Sequence, residues 1–130
     1  MEGCVVTDLK VHSRNNCYLF TPEQMQRIQN EVAVSIALEP GINIVKIREG
    51  AFSYYSGGFK GEPLVILWIY GGKVINRKTE VEVGATWSTL NGYDDTLTLD
   101  VKEKATLCAF FLDTYLDDND GEVDLSVVRI

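Results

Sequence analysis

A chain of 130 residues with 45% hydrophobic and 24% charged side chains is sized and composed for one folded domain and leaves no room for a second. Twelve basic against nineteen acidic side chains give a net charge of -7, a field that repels phosphate backbones and argues against nucleic acid as a partner. The longest apolar run, Leu64 to Tyr70, is far short of the roughly 20 residues of a bilayer-crossing helix, and no basic-then-apolar leader is visible, so no membrane partner and a cytoplasmic location are expected.

Residues 1–30 read as an N-terminal arm ending in a short helix, and residues 31–130 as the main domain. The arm has a brief alternation from Val5 to Val11 and is otherwise aperiodic, as in an extended arm or a weak edge strand. At Thr21-Pro22-Glu23-Gln24, a capping threonine, a proline at the first helical position and a glutamine three residues on predict a helix start, running to about Asn30. From Val32 the period changes to two: Val32, Val34, Ile36 and Leu38 alternate with small or polar residues, the pattern of a half-buried strand. Glu39-Pro40-Gly41 then turns the chain.

Further strands are predicted at Ile42 to Arg48, Leu64 to Tyr70, Lys73 to Asn76, Glu80 to Val83, Thr96 to Val101, Ala105 to Leu112 and Glu122 to Ile130, with Gly, Pro, Asn or Asp in nearly every gap. Many short strands and almost no helix define an all-β chain, an antiparallel β-sandwich or jelly roll. Leu64 to Ile69 and Ala105 to Leu112 are apolar on both faces and are expected at the centre. Val123, Leu125 and Val127 alternate with polar residues, as in a strand with one wet face. Three cysteines without CxxC spacing favour neither a zinc site nor a disulfide framework, though a Cys4–Cys17 bridge is open to an oxidising setting. Cys108 reads as a buried thiol.

The stretch AFFLDTYLDDNDGEVDLSVV places Asp113, Asp117, Asp118, Asp120, Glu122 and Asp124 within twelve positions without a Lys or Arg. Such crowding is tolerable where every carboxylate points into water, or where a cation sits among them. Asp, Asn and Gly concentrate at Asp117 to Gly121, where side-chain oxygens fold back readily and glycine accepts positive φ. All-oxygen donors suit calcium better than magnesium or zinc. An EF-hand does not fit: with Gly121 at its sixth position, Leu116 falls at the first and Val127 where a bidentate Glu is required.

Two segments carry a family resemblance. EPGINIVKIREGAFSYY, ending in the Gly-x-x-Ser-Tyr pattern at Tyr54, and FLDTYLDDNDGEVDLSV together resemble the calcium-dependent, galactose-binding bacterial lectins and their jelly-roll relatives. The resemblance implies an ion held at a sheet end between two loops, by the Tyr54 carbonyl, the Asp113 carboxylate, and Asp118 and Asn119 in the places of that family's asparagine pair. The corresponding loop is shorter here, and its carbonyl donor is assigned to Asp117. The sugar-contacting half of the family pattern is missing: Ser56 to Pro63 is short and holds no histidine, and the single histidine, His12, lies in the arm.

Catalytic signatures are sparse. One histidine excludes multi-His metal centres, no Gly-x-Ser-x-Gly or phosphate-binding glycine loop occurs, and the carboxylates crowd into one loop rather than flanking a cleft. Trp68 is expected in the core; Trp87, beside Tyr93, Asp94 and Asp95, reads as either a core residue or a sugar-stacking contact. The sequence therefore leads to the expectation of a non-catalytic, calcium-binding, lectin-like module whose ligand contacts include Trp87 and Tyr54 and whose partner is a saccharide. The alternative is a calcium-stabilised interaction or assembly domain without sugar binding, and a homo-oligomer is compatible with either.

Overall fold

A computed structural model of the chain describes residues 5–53, 64–91, 95–112 and 120–130, with the backbone alone for 49–53 and 120. Among the described residues, helix α1 (Pro22–Arg27) and one π-helical turn (Ile28–Val32) precede β1 (Val34–Leu38), β2 (Gly41–Ser53), β3 (Leu64–Tyr70), β4 (Lys73–Asn76), β5 (Val81–Val83), β6 (Thr86–Asn91), β7 (Thr96–Glu103), β8 (Ala105–Phe110) and β9 (Asp120–Arg129). The predicted capping box is present: Gln24 N donates to Thr21 Oγ at 3.1 Å and Thr21 N to Gln24 Oε1 at 2.9 Å. The helix buries no residue, so its end is fixed by this local pairing rather than by packing.

The strands form two antiparallel sheets, ordered β1-β8-β3-β6 and β5-β4-β7-β2-β9. Each strand passes to the other sheet from the one before it, except β5, which stays beside β4. Leu38, Val65, Leu67, Ile69, Leu90 and Leu107 of the first sheet meet Val45, Ile47, Val74, Leu97, Leu99 and Val101 of the second in one buried cluster. The alternation in these strands puts the apolar set on the inner face, and each fully buried side chain contributes on the order of 2 kcal/mol of transfer free energy. The chain is thus an all-β antiparallel sandwich with one short helix.

Three details depart from the expectations. Residues 86–91 form a strand, β6, where the sequence reads as a loop; Thr86 and Ser88 face inward beside the single fully buried Leu90, which leaves little apolar period to detect. Strand β2 runs on to Ser53 because a bulge between Ile47 and Glu49 resets its pairing with β9 and lets the ladder continue. Trp68 lies on the outer face of its sheet, half-buried, with Val65, Leu67 and Ile69 on the inner face. Strands β3 and β8 are central, as their two-sided apolarity implies.

At one end of the sandwich the connections are tight. Asn43, the buried polar residue on the inner face of β2, donates from Nδ2 to the Glu39 carbonyl at 2.9 Å and the Gly41 carbonyl at 3.2 Å, securing the β1–β2 turn. Arg129 Nε donates to the Pro40 carbonyl at 2.8 Å and Ile130 N to the Ile42 carbonyl at 2.8 Å, tying the end of β9 to the same turn. Gly72 passes so close to the backbone carbonyls of Glu103 and Lys104 that a Cβ there would collide with both.

Candidate functional site

The connections divide unevenly between the two ends of the sandwich. Strands β1 and β2, β3 and β4, β5 and β6, and β7 and β8 are joined by one or two residues each. The registers place the opposite strand ends together: Ile66 pairs with Phe110 and Leu64 with Asn91 in one sheet, and Ser53 pairs with Asp120 in the other. Ser53, Leu64, Asn91, Phe110 and Asp120 therefore mark one end, from which the longer connections at 54–63, 92–95 and 111–119 depart. Loops of variable chemistry on a rigid sandwich end are where binding functions concentrate.

Of the proposed calcium donors, Tyr54, Asp113, Asp117, Asp118 and Asn119 all lie outside the described residues. Their described flanks are directly paired: Ser53, which precedes Tyr54, is the register partner of Asp120, which follows Asn119. The two sequence segments that carry the resemblance, ending at Tyr54 and running through the acidic stretch, thus share one strand pair. Gly121 has φ +92, the positive value read for it from the sequence. Glu122 and Asp124 on β9 are exposed. Among the described residues no group of three or more His, Cys, Asp or Glu side chains could hold a metal ion.

Trp87 sits elsewhere. It occupies β6 opposite Trp68, four residues from Asn91 and about 13 Å along the strand from that end. The residue is 44% exposed and its ring is built into an aromatic cluster on the outer face: centroids lie 4.6 Å from Trp68, 6.0 Å from Phe110 and 6.3 Å from Phe20 of the N-terminal segment. Tyr70 stacks on the other side of Trp68 at 6.0 Å. One cross-strand row, Ser35–Cys108–Trp68–Trp87, spans all four strands of this sheet. Cys108 in that row is fully buried, with its Sγ 3.4 Å from Ser35 Oγ. The Cys4–Cys17 question lies outside the described residues; Cys17 itself is exposed.

Two features of the surface went unread in the sequence. A groove of about 290 Å³ opens between the sheets at the β1–β9 side, lined by Val32, Val34, Val123 and Leu125 among others. A second hollow of about 330 Å³ lies between the helix and the end of β8, lined by Phe20, Ile28, Val32 and Phe110 among others. The signal for the first was present in the alternation of both strands, which expects Val34 and Leu125 inside. It needed the strand order to show that they sit at an edge. Among the described residues no helix is long and apolar enough to cross a membrane.

Comparison with family models, with characterised proteins and with solved structures returns no match to this chain.

Proposed function

We propose that the chain is a non-catalytic, calcium-binding, lectin-like recognition module built on a jelly roll, with its site at the loop-bearing end. The observation that supports this most directly is the pairing of Ser53 with Asp120, which joins at one sheet end the two segments resembling the galactose-binding lectins. The strand orders β1-β8-β3-β6 and β2-β7-β4-β5 fit an eight-stranded, double Greek-key wrapping, with β9 added beside β2.

In this reading the Tyr54 carbonyl, the Asp113 and Asp118 carboxylates, the Asn119 side chain and the Asp117 carbonyl hold the ion. These are all oxygen donors, the chemistry a hard cation of six to eight ligands prefers. Calcium neutralises carboxylates that would otherwise repel, and offers an open coordination position to vicinal hydroxyls of a saccharide. Tyr54 contributes to orienting the sugar; the sugar contact expected of Trp87 is not carried into this reading, since its ring packs against Trp68 in the outer aromatic cluster.

The test is thermal. Calcium at 100 times its Kd stabilises a folded site by about 2.7 kcal/mol, so the wild-type melting temperature rises on adding millimolar calcium. Asp113→Ala removes that rise and melts like wild type in chelator. Equal losses in both conditions would make Asp113 merely structural, and a wild-type melting temperature indifferent to calcium would end the calcium reading. A glycan array with and without chelator then tests the saccharide.

A second reading, an assembly domain whose specificity lies in a protein interface, is favoured by a separate observation. Val5, Val6, Leu9, Val11, Tyr18 and Leu19 of the N-terminal segment are 77 to 86% exposed, far more apolar surface than an isolated arm needs.

A further inference from the structure

The two sheets differ by one strand, and the difference falls on one side. Sheet order ends with β1 on one sheet and β9 on the other, and the Val123, Leu125 and Val127 side chains of β9 pack only partly against the core. Val34 and Ile36 share the inward face of β1 with fully buried Leu38, yet they are 73% and 49% exposed. Among the described residues, therefore, no strand lies over β9 on the outer edge of β1. That edge, Val34-Ser35-Ile36-Ala37-Leu38, has no charge, proline or bulge, the devices that normally keep an edge strand from pairing.

We propose that this position is filled by the N-terminal arm of a second copy of the chain, residues 5–11 adding as a strand to the β1 edge. The arm has the required pattern: Val5, Leu9 and Val11 fall on one face of an extended segment and Asp8 and Lys10 on the other. As a strand it would close the groove with its apolar face and keep its charges in water. Its backbone donors and acceptors would complete the ladder that β1 leaves open.

The arm of the same chain is led away from that edge. Phe20 stacks on Trp87 of β6, the strand at the opposite side of the four-stranded sheet, about 14 Å from β1 at ordinary strand spacing. The chain before Phe20 bends through a turn in which Asn16 N donates to the His12 carbonyl at 3.0 Å and His12 N to Asn16 Oδ1 at 3.0 Å. The arm beyond that turn touches little of its own domain. Exchange between copies thus covers the arm and the open edge at once, whatever ligand the loop end takes.

The experiment measures mass by light scattering on the full chain from low to high micromolar concentration. The expected result is an oligomer of at least twice the 14.5 kDa chain mass, reduced to monomer by Leu9→Asp in the arm and, separately, by Ile36→Lys on the edge. Both residues are exposed in the single chain, so circular dichroism of the monomeric variants should remain that of the folded wild type. As a direct readout, Leu9→Cys and Val34→Cys proteins in a Cys4→Ser/Cys17→Ser background are mixed and oxidised. A disulfide-linked heterodimer supports arm exchange. A wild-type chain that stays monomeric overturns the proposal, as does an oligomer indifferent to both substitutions. A single chain carrying both cysteines that crosslinks within itself as a monomer would equally overturn it, by giving the arm to its own edge.

Discussion

The indole rings of Trp68 and Trp87 meet across the β3–β6 pair with centroids 4.6 Å apart and planes tilted by 34°. They form the middle of an aromatic face that runs from Tyr70 to Phe20 and shelters the buried Cys108. This sheet is therefore apolar on both sides, with the inner side filled by the opposing sheet and the outer side by its own rings and the segment leading into the helix.

Because the two tryptophans differ in burial, their removal should cost different amounts. Trp68→Ala is expected to lower stability by about 2 kcal/mol, less than the loss for a fully buried core aromatic, and Trp87→Ala by about 1 kcal/mol, the scale of one aromatic pairing. Urea unfolding measures both. Either substitution should abolish the exciton signal of the coupled indoles in circular dichroism, and persistence of that signal in one of them would show that the rings are not paired.

Cys108 should be chemically silent in the folded protein. In a Cys4→Ser/Cys17→Ser variant, a thiol reagent is expected to leave the native chain unmodified and to label one thiol once denaturant unfolds it, since a fully buried thiol beside Ser35 Oγ must be uncovered first. Rapid native labelling would show that the outer-face cover over this row is open.

Asn43 serves as a donor, which its substitutions can demonstrate. Asn43→Ala strands two turn carbonyls and should cost on the order of 2 kcal/mol. Asn43→Asp should cost at least as much, because a carboxylate cannot donate to the Glu39 and Gly41 carbonyls and buries a charge as well. An aspartate variant as stable as wild type would assign Asn43 a different role.

Neighbouring glycines offer a matched pair. Gly72→Ala forces a methyl into the Glu103 and Lys104 carbonyls and should destabilise by on the order of 2 kcal/mol. Gly71→Ala meets open space but must hold φ +85, at about 1 kcal/mol. Melting curves that reverse this order would contradict the close approach at Gly72.

The strands that the sequence made legible were those whose inner face is filled. Leu64 to Tyr70 and Lys73 to Asn76 come out residue for residue, because Val65, Leu67, Ile69 and Val74 announce their burial. β6 was hidden because only Leu90 on its inner face is large, and Asn91-Gly92 punctuates its end like a turn. Trp68 was read as core because an apolar residue on a two-sided strand carries no mark of which layer covers it. The sequence marks the candidate site by the density of oxygen donors from Asp113 to Asp124, most of which lie outside the described residues. That its two segments meet is implied only by the family resemblance, since the Ser53–Asp120 pairing depends on where β9 docks, and no local pattern records that. The open β1 edge was invisible for the same reason.

The interleaved order of the strands bears on how fast the chain can find its fold. Among the described strands only β4 and β5 pair with a chain neighbour across a short turn; β1 must wait for β8, and β2 for β9 some eighty residues downstream. Large closed segments must lose their freedom before those ladders return any stability, which places the chain among slow, high-contact-order folders on the millisecond-to-second scale. During that interval the uncharged Val34–Leu38 segment is on offer to any other chain nearby, so refolding yield should fall as protein concentration rises.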